Sequence, residues 1–303
     1  TALVASAELG IRENRVLVAS TGVIGRQLPM NNLLAGVKKA VAALGSTSSH
    51  SNDAELAIMT TDTRPKEAAV EFVLEGKKVR IGGICKGSGM IEPNMATMLG
   101  FLTTDAAISP RMLRKALLMA ISKSFNRVVV DGDMSTNDSV FLMASGKAGN
   151  KKITLPGDEF RVFTSALTEV CTSLARQMAL DGEGATKFVT VTVKGAKTKK
   201  DAERAARAVA KSPLAKTSWF GLAAVGYSGA SVNPEKTEVL FDDVWAYRMG
   251  EVASSEQLSK LEKILKKDAF EIVVDLHCGN AQDSIYTCDF SLEYVHINAD
   301  YTT

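Results

Sequence analysis

One threonine in this chain stands where a self-cleaving nucleophile would be presented. The stretch Lys86-Gly87-Ser88-Gly89-Met90-Ile91-Glu92-Pro93-Asn94-Met95-Ala96-Thr97-Met98-Leu99-Gly100 places Thr97 between a small residue and an apolar run, behind a glycine-rich approach stiffened by Pro93. Threonine by itself attacks poorly. Breaking the Ala96–Thr97 bond would give its hydroxyl a built-in base, the new α-amino group, whose ordinary pKa is about 7.7–8.0. The same residues also suit an Ala-Thr pair entering a buried strand, so this stretch alone leaves both readings open.

Two acidic turns come next in interest. Asp131-Gly132-Asp133-Met134-Ser135-Thr136-Asn137-Asp138 looks like a calcium loop, yet it lacks the spaced carboxylates and closing Glu of an EF-hand, so no metal is expected. In Asp181-Gly182-Glu183-Gly184 a carboxylate sits between two glycines, which either let a backbone approach a ligand closely or simply end a helix. Cys85, Cys171, Cys278 and Cys288 show no C-x-x-C spacing, and His50, His277 and His296 form no cluster with them, which points to a reducing compartment and no structural zinc. His277 and Cys278 read as strand neighbours pointing to opposite faces, hence structural. There is no Walker loop or nucleophile elbow, and Gly87-Ser88-Gly89 is too short for a dinucleotide fingerprint.

The elements that must carry these residues belong to an α/β chain. Its 303 residues, 46% of them hydrophobic, suffice for one large core or two moderate ones. A net charge of +2 gives no support for a nucleic-acid or membrane partner, and the lysine-rich run over 194–200 reads as a solvated loop. No apolar run approaches the roughly 18 residues that span a bilayer, so a soluble protein is expected. Residues 1–9 read as the end of a helix stopped at Gly10, with the chain starting inside an element and any targeting peptide out of view.

Residues 14–20 predict a strand feeding the turn Ser20-Thr21-Gly22-Val23-Ile24-Gly25, then a helix opened by Pro29 and ended by Gly45, with Leu33, Leu34, Val37, Val41 and Leu44 on one face. Residues 46–53 read as a loop and 56–60 as a strand. A hairpin of 69–74 with 79–84 turns at Gly76, and 97–103 is a buried strand. Thr60-Thr61-Asp62 and Thr103-Thr104-Asp105 look like a short echo at two strand ends. Ser109-Pro110 caps a helix over 110–124, and Phe160, Phe163, Leu167, Val170, Cys171, Leu174 and Met178 recur at helical spacing. Further on, 188–193 is a strand, 201–211 a helix capped by Asp201, and Ser254 with Gln257 a capping box, while 270–276 and 285–295 close the chain as strands.

Taken together, Ser20-Thr21-Gly22-Val23-Ile24-Gly25, the stretch 86–100, Asp131-Gly132-Asp133 with Ser135-Thr136-Asn137-Asp138, Glu183 with Thr186-Lys187, and Asn298-Ala299-Asp300-Tyr301 resemble the ornithine acetyltransferase family, the arginine-biosynthesis enzymes also called glutamate N-acetyltransferases. The motifs fall in the family's order and cover nearly the whole chain. The resemblance implies an α/β fold of layered sheets flanked by helices, the self-cleaving Thr-nucleophile fold of the ornithine acetyltransferase type. The chain's own pattern puts a candidate boundary near Thr186, with no low-complexity linker, giving a nucleophile-bearing α/β domain over 1–186 and a smaller C-terminal α/β domain over 187–303. The resemblance also implies a precursor cut between Ala96 and Thr97 into α and β segments that assemble as α2β2. Thr21 and Gly22 match the family's oxyanion-hole pair, and two such donors aimed at a developing alkoxide supply about 3–4 kcal/mol in a water-excluded site. Lys86 matches a substrate-pocket lysine and Glu183 an active-site carboxylate. Asn298 and Thr303 match the positions that hold the α-amino and α-carboxylate end of the amino acid.

The implied reaction is ping-pong transfer of acetyl from N-acetylornithine to glutamate through acetyl-Thr97. Acetyl-CoA as a further donor stays open, because no short signature marks it; no other cofactor is expected. Bacterial cytoplasm, mitochondrial matrix and plastid all suit such an enzyme. Two departures stand out. The family's α segment is longer, with a glycine- and asparagine-rich motif ahead of the part that matches Thr1. An Asp-Pro-Asn-Trp-Gly-Arg loop follows the segment matching Ser212-Pro213-Leu214-Ala215-Lys216-Thr217, where here Phe220-Gly221 runs straight into Leu222-Ala223-Ala224-Val225-Gly226. On these grounds the chain reads as N-terminally truncated and short of one loop. The rival readings are a Thr-nucleophile amidase or aminopeptidase, in which water replaces glutamate, and an inactive homologue that only binds.

Overall fold

The structure is a computed structural model and describes residues 1–23, 25–92, 98–133, 135, 137–219 and 222–300, with the backbone alone for 222 and 223. Ala96, Thr97 and Thr303, singled out above, lie outside the described residues.

The chain opens with α1 (Ala2–Leu9), which Gly10 ends in the left-handed conformation at φ 62° that glycine adopts without strain. α2 (Met30–Ala42) follows Pro29 and stops ahead of Gly45. Two expectations fail in this part. Residues 16–20 form no strand, because β-formers need a partner strand and Leu17 and Val18 are left exposed instead. The expected loop at 46–53 and strand at 56–60 are largely one helix, α3 (Ser48–Ile58), in which Ala54, Glu55, Leu56 and Ala57 supply helix formers. Thr60-Thr61-Asp62 therefore follows a helix whereas Thr103 and Thr104 end a strand, and the echo marks no structural repeat.

β1 (Lys66–Leu74) and β2 (Lys77–Lys86) form the expected hairpin across Glu75 and Gly76, both at positive φ, as the two-residue turns that match strand twist require. β3 (Leu99–Thr104) runs antiparallel to β2 and sets Leu99 opposite Lys86. α4 (Pro110–Ile121) starts where the Ser109 hydroxyl accepts the Met112 N–H and Pro110 supplies a first turn that needs no donor. After the short β4 (Val128–Val129) comes β5 (Ser139–Ala144), parallel to β3 with Ser139 opposite Leu99. The sheet order is β1-β2-β3-β5. α5 (Asp158–Leu180) lays its predicted face, Phe160, Phe163, Leu167, Val170, Cys171, Leu174 and Met178, into the core shared with this sheet and α4.

The rest of the chain adds β6 (Phe188–Ala196), α6 (Lys199–Lys211), α7 (Pro213–Ser218), α8 (Leu222–Gly226), β7 (Glu238–Phe241), β8 (Val244–Arg248), β9 (Glu251–Val252), α9 (Ser255–Leu265), β10 (Ala269–Asp275), β11 (Ala281–Cys288) and α10 (Leu292–Asp300). Its mixed sheet runs β4-β11-β6-β10-β7-β8-β9, so residues 128–129 pair within it. Valines of β6 and β10 form a second core with the alanine-rich face of α6. The Ser254–Gln257 capping box is present at α9. At α6 the cap is Thr198, whose hydroxyl accepts the Asp201 N–H, rather than Asp201 itself. The last expected strand stops at Cys288, because the Ser291 hydroxyl accepts the Glu293 N–H and starts α10 instead. His277 and Cys278 are not strand neighbours either: His277 lies past β10 at φ 46°. The architecture is α/β, mixed sheets flanked by helices.

Candidate active site

Residues 86–92 leave the end of β2 as a strap, and the described site residues gather along it. Lys86, the last residue of β2, is 2% exposed and donates from Nζ to the Thr60 hydroxyl at 3.2 Å. Burial pushes its pKa down, opposed by the charges of Asp62 and Asp138 and reinforced by Lys66. Asp138 sits just before β5. Its Oδ1 accepts the backbone N–H of Met98 at 3.0 Å, and Met98 follows Thr97 directly in sequence. Burial pushes the Asp138 carboxyl up to about 6, against that hydrogen bond and the Lys86 charge. Its Oδ2 is buried with no hydrogen-bond partner among the described residues.

The loop before Asp138 also reaches the turn at 20–22. Asn137 donates from Nδ2 to the Ser20 carbonyl at 3.0 Å, which ties that turn to the loop holding the start of β3. Thr21 is half-buried and Gly22 exposed.

Further along the strap lies the Glu183 carboxylate. Its backbone N–H donates to the Ser88 carbonyl at 2.9 Å, and its Oε2 accepts from Asn298 Nδ2 at 3.0 Å. Gly89 makes room for it: a Cβ there would stand 2.2 Å from Oε2. Gly184, at φ +66°, lets α10 come equally close, since a Cβ would meet the Tyr294 nitrogen at 2.3 Å. α10 thereby brings Asn298 to Glu183. Asp131 accepts the Ile91 N–H at 2.9 Å and also bonds the Met90 N–H, and its burial pushes its pKa up despite those bonds. Burial, with Asp131, Asp133, Glu183 and Cys288 adding to it, pushes the Tyr294 hydroxyl up to about 12.

The structure thus places Lys86 beside the start of β3, joins Glu183 to Asn298, and links the Thr21-Gly22 turn to the same neighbourhood through Asn137. It adds two groups that the sequence reading did not assign. Asp138 lies inside the quoted acidic turn, but nothing in its spacing tells which carboxylate holds Met98. Thr60 is far from Lys86 in sequence, and its place in the Thr60-Thr61-Asp62 echo gives no sign that its hydroxyl meets Lys86. The open groove of about 510 Å³ between α4 and α5 is lined by Met119, Lys123, Phe160 and Arg161 among others, and by none of these residues. Among the described residues no His, Cys, Asp and Glu cluster is arranged to hold a metal ion.

Layered mixed sheets with a polar strap leading toward the third strand have the architecture of the Thr-nucleophile α/β fold. The chain belongs to the ArgJ family, whose model matches residues 1–303. It is 48% identical over 311 residues to the arginine biosynthesis bifunctional protein ArgJ of Geobacter sulfurreducens, a match covering 100% of this chain and 78% of that one. It is 49% identical over 310 residues to the glutamate N-acetyltransferase of Methanocaldococcus jannaschii, covering 97% and 76%. The crystal structure of the arginine biosynthesis bifunctional protein ArgJ from Bacillus halodurans aligns with a TM-score of 0.64 at 38% identity, over 68% of this chain and 100% of that one.

Proposed function

We propose that this chain is a glutamate N-acetyltransferase of arginine biosynthesis, which cuts itself before Thr97 and then carries acetyl on the Thr97 hydroxyl from N-acetylornithine to glutamate. The observation that supports it most is the Asp138 carboxylate holding Met98, the residue next to the nucleophile, with Lys86 opposite Leu99 on the neighbouring strand.

The chemistry balances without a metal or a cofactor. Thr97 Oγ attacks the acetyl carbonyl, its proton passes to the Thr97 α-amine, and the alkoxide takes hydrogen bonds from the Thr21 hydroxyl and the Gly22 N–H. The amide C–N bond then breaks, the proton goes to the departing nitrogen, and ornithine leaves an acetyl ester. Glutamate's amine reverses the path. Lys86, held in a poorly hydrated site, supplies positive charge to the substrate pocket. Glu183 and Asn298 engage the substrate's amino-acid end together with Thr303. The two segments pair as α2β2.

Intact-mass spectrometry tests the cut: two fragments split at Ala96–Thr97 are expected from the native chain and one uncut chain from Thr97→Ala. N-acetylornithine supplied with and without glutamate tests the transfer. Glutamate-dependent ornithine release is expected. Release that ignores glutamate would make the protein an amidase, and uncut native chain without any release would make it an inert homologue.

A further inference from the structure

Lys66 is the first residue of β1, lies opposite Cys85 in the hairpin, and is 0% exposed. Its ammonium donates to Asp62 Oδ1 at 2.6 Å, to Asp181 Oδ2 at 2.6 Å and to the Arg64 carbonyl at 3.3 Å, so each of its three protons has an acceptor. Two carboxylates sharing one buried cation are a poor way to gain stability, since well-packed apolar groups often do as well or better. Such a cluster is more informative about geometry.

Each carboxylate has a second task. Asp62 Oδ1 also accepts the Gly87 N–H at 2.7 Å, and Oδ2 accepts the Thr60 N–H at 3.1 Å. Those are the residue after Lys86 and the residue whose hydroxyl receives the Lys86 ammonium. Asp181 Oδ2 also accepts the Thr63 N–H at 3.0 Å, and its backbone carbonyl accepts the Ser88 hydroxyl at 2.7 Å. Two residues on, Glu183 closes the loop with its own N–H on the Ser88 carbonyl. One ammonium therefore joins the segment carrying Lys86 to the segment carrying Glu183, elements far apart in sequence. Burial alone would push the Asp62 carboxyl up, yet the Lys66 and Gly87 hydrogen bonds hold it below the ordinary carboxylate range.

We propose that Lys66 is a positioning residue that sets the spacing between Lys86 and Glu183, and through that spacing the length of amino-acid substrate the site accepts. The substrate half of this inference rests on the function proposed above; the clamp does not. The test is Lys66→Arg in the full chain, which keeps the charge but replaces a compact three-proton donor by a larger planar fork. The variant is expected to remain cut and to melt within a few degrees of the native protein. Its KM for N-acetylornithine should rise at least tenfold with kcat changed less than threefold, and the Gly87 and Glu183 amides should exchange hydrogen at least tenfold faster. Native-like KM and native-like exchange would overturn the proposal, as would faster exchange with an unchanged KM. A native protein that never releases ornithine would sink the function reading instead, and the exchange rates would still decide whether Lys66 is the clamp. If Lys66→Arg does not fold, Asp62→Asn carries the same two readouts.

Discussion

Replacing Gly89 by alanine adds one methyl group at the point where the strap passes beneath Glu183. The new Cβ would lie 2.2 Å from Oε2 and 2.3 Å from Cδ of Glu183, more than 1 Å inside the roughly 3.5 Å at which carbon atoms rest in contact. Gly89 has no positive φ, so the alanine backbone is unstrained and the carboxylate must yield. As it retreats it gives up the 3.0 Å bond from Asn298. A hydrogen bond to a charged group contributes about 1.5–3 kcal/mol, while alanine for glycine returns about 0.4–1 kcal/mol by restricting the unfolded chain, for a net loss near 1–2 kcal/mol. In a chain of this size that lowers the melting temperature by only a few degrees. The effect on substrate should be far larger. If the carboxylate grips the amino-acid end, losing a charge-assisted bond of the same size raises KM about 10- to 150-fold. Initial rates of glutamate-dependent ornithine release across N-acetylornithine concentrations give KM, and a melting curve on the same preparation gives the stability. A well-folded, cleaved Gly89→Ala enzyme with native KM would refute the assignment of Glu183. A fall beyond ten degrees would instead make the Gly89 contact a pillar of the fold.

Three other outcomes are expected. The Asp138 carboxyl, pushed up to about 6 against about 3.9 in an unfolded chain, holds its proton more tightly when folded, so the fold loses stability as pH rises between those values. Asp138→Asn should therefore melt higher than the native protein at pH 8, with the advantage gone below pH 4; a pH-independent difference would contradict this. Ser254→Ala should cost about 0.5–2 kcal/mol through loss of the capping box, read from denaturant midpoints, with ornithine release unchanged. Thr97→Ala should give an uncut chain with no transfer, by intact mass and by amino-acid analysis.

Where the sequence was legible, local chemistry and burial agreed. Ser109-Pro110 predicted the start of α4, and the apolar spacing from Phe160 to Met178 predicted the buried face of α5, because each pattern is enforced by a core that the pattern itself builds. It was misleading where a β-former had no strand to pair with, as at Leu17 and Val18, and where a polar start hid a helix, as at α3. The acidic turn and the Glu183 glycines stood out as unusual residue combinations. The Asp62, Lys66 and Asp181 cluster did not, since charges that meet only after the chain has folded leave no periodicity to detect. The meeting of Thr60 with Lys86 was invisible for the same reason.

The ladder between β2 and β3 bears on how the finished enzyme would come apart. A cut before Thr97 falls in the connection between two strands that are neighbours in one sheet, so the severed ends stay zipped by backbone hydrogen bonds and by the core beneath. Denaturation then releases two molecules from every chain made as one. Its midpoint must climb with protein concentration, and recovery must slow on dilution, more steeply than for the uncut chain.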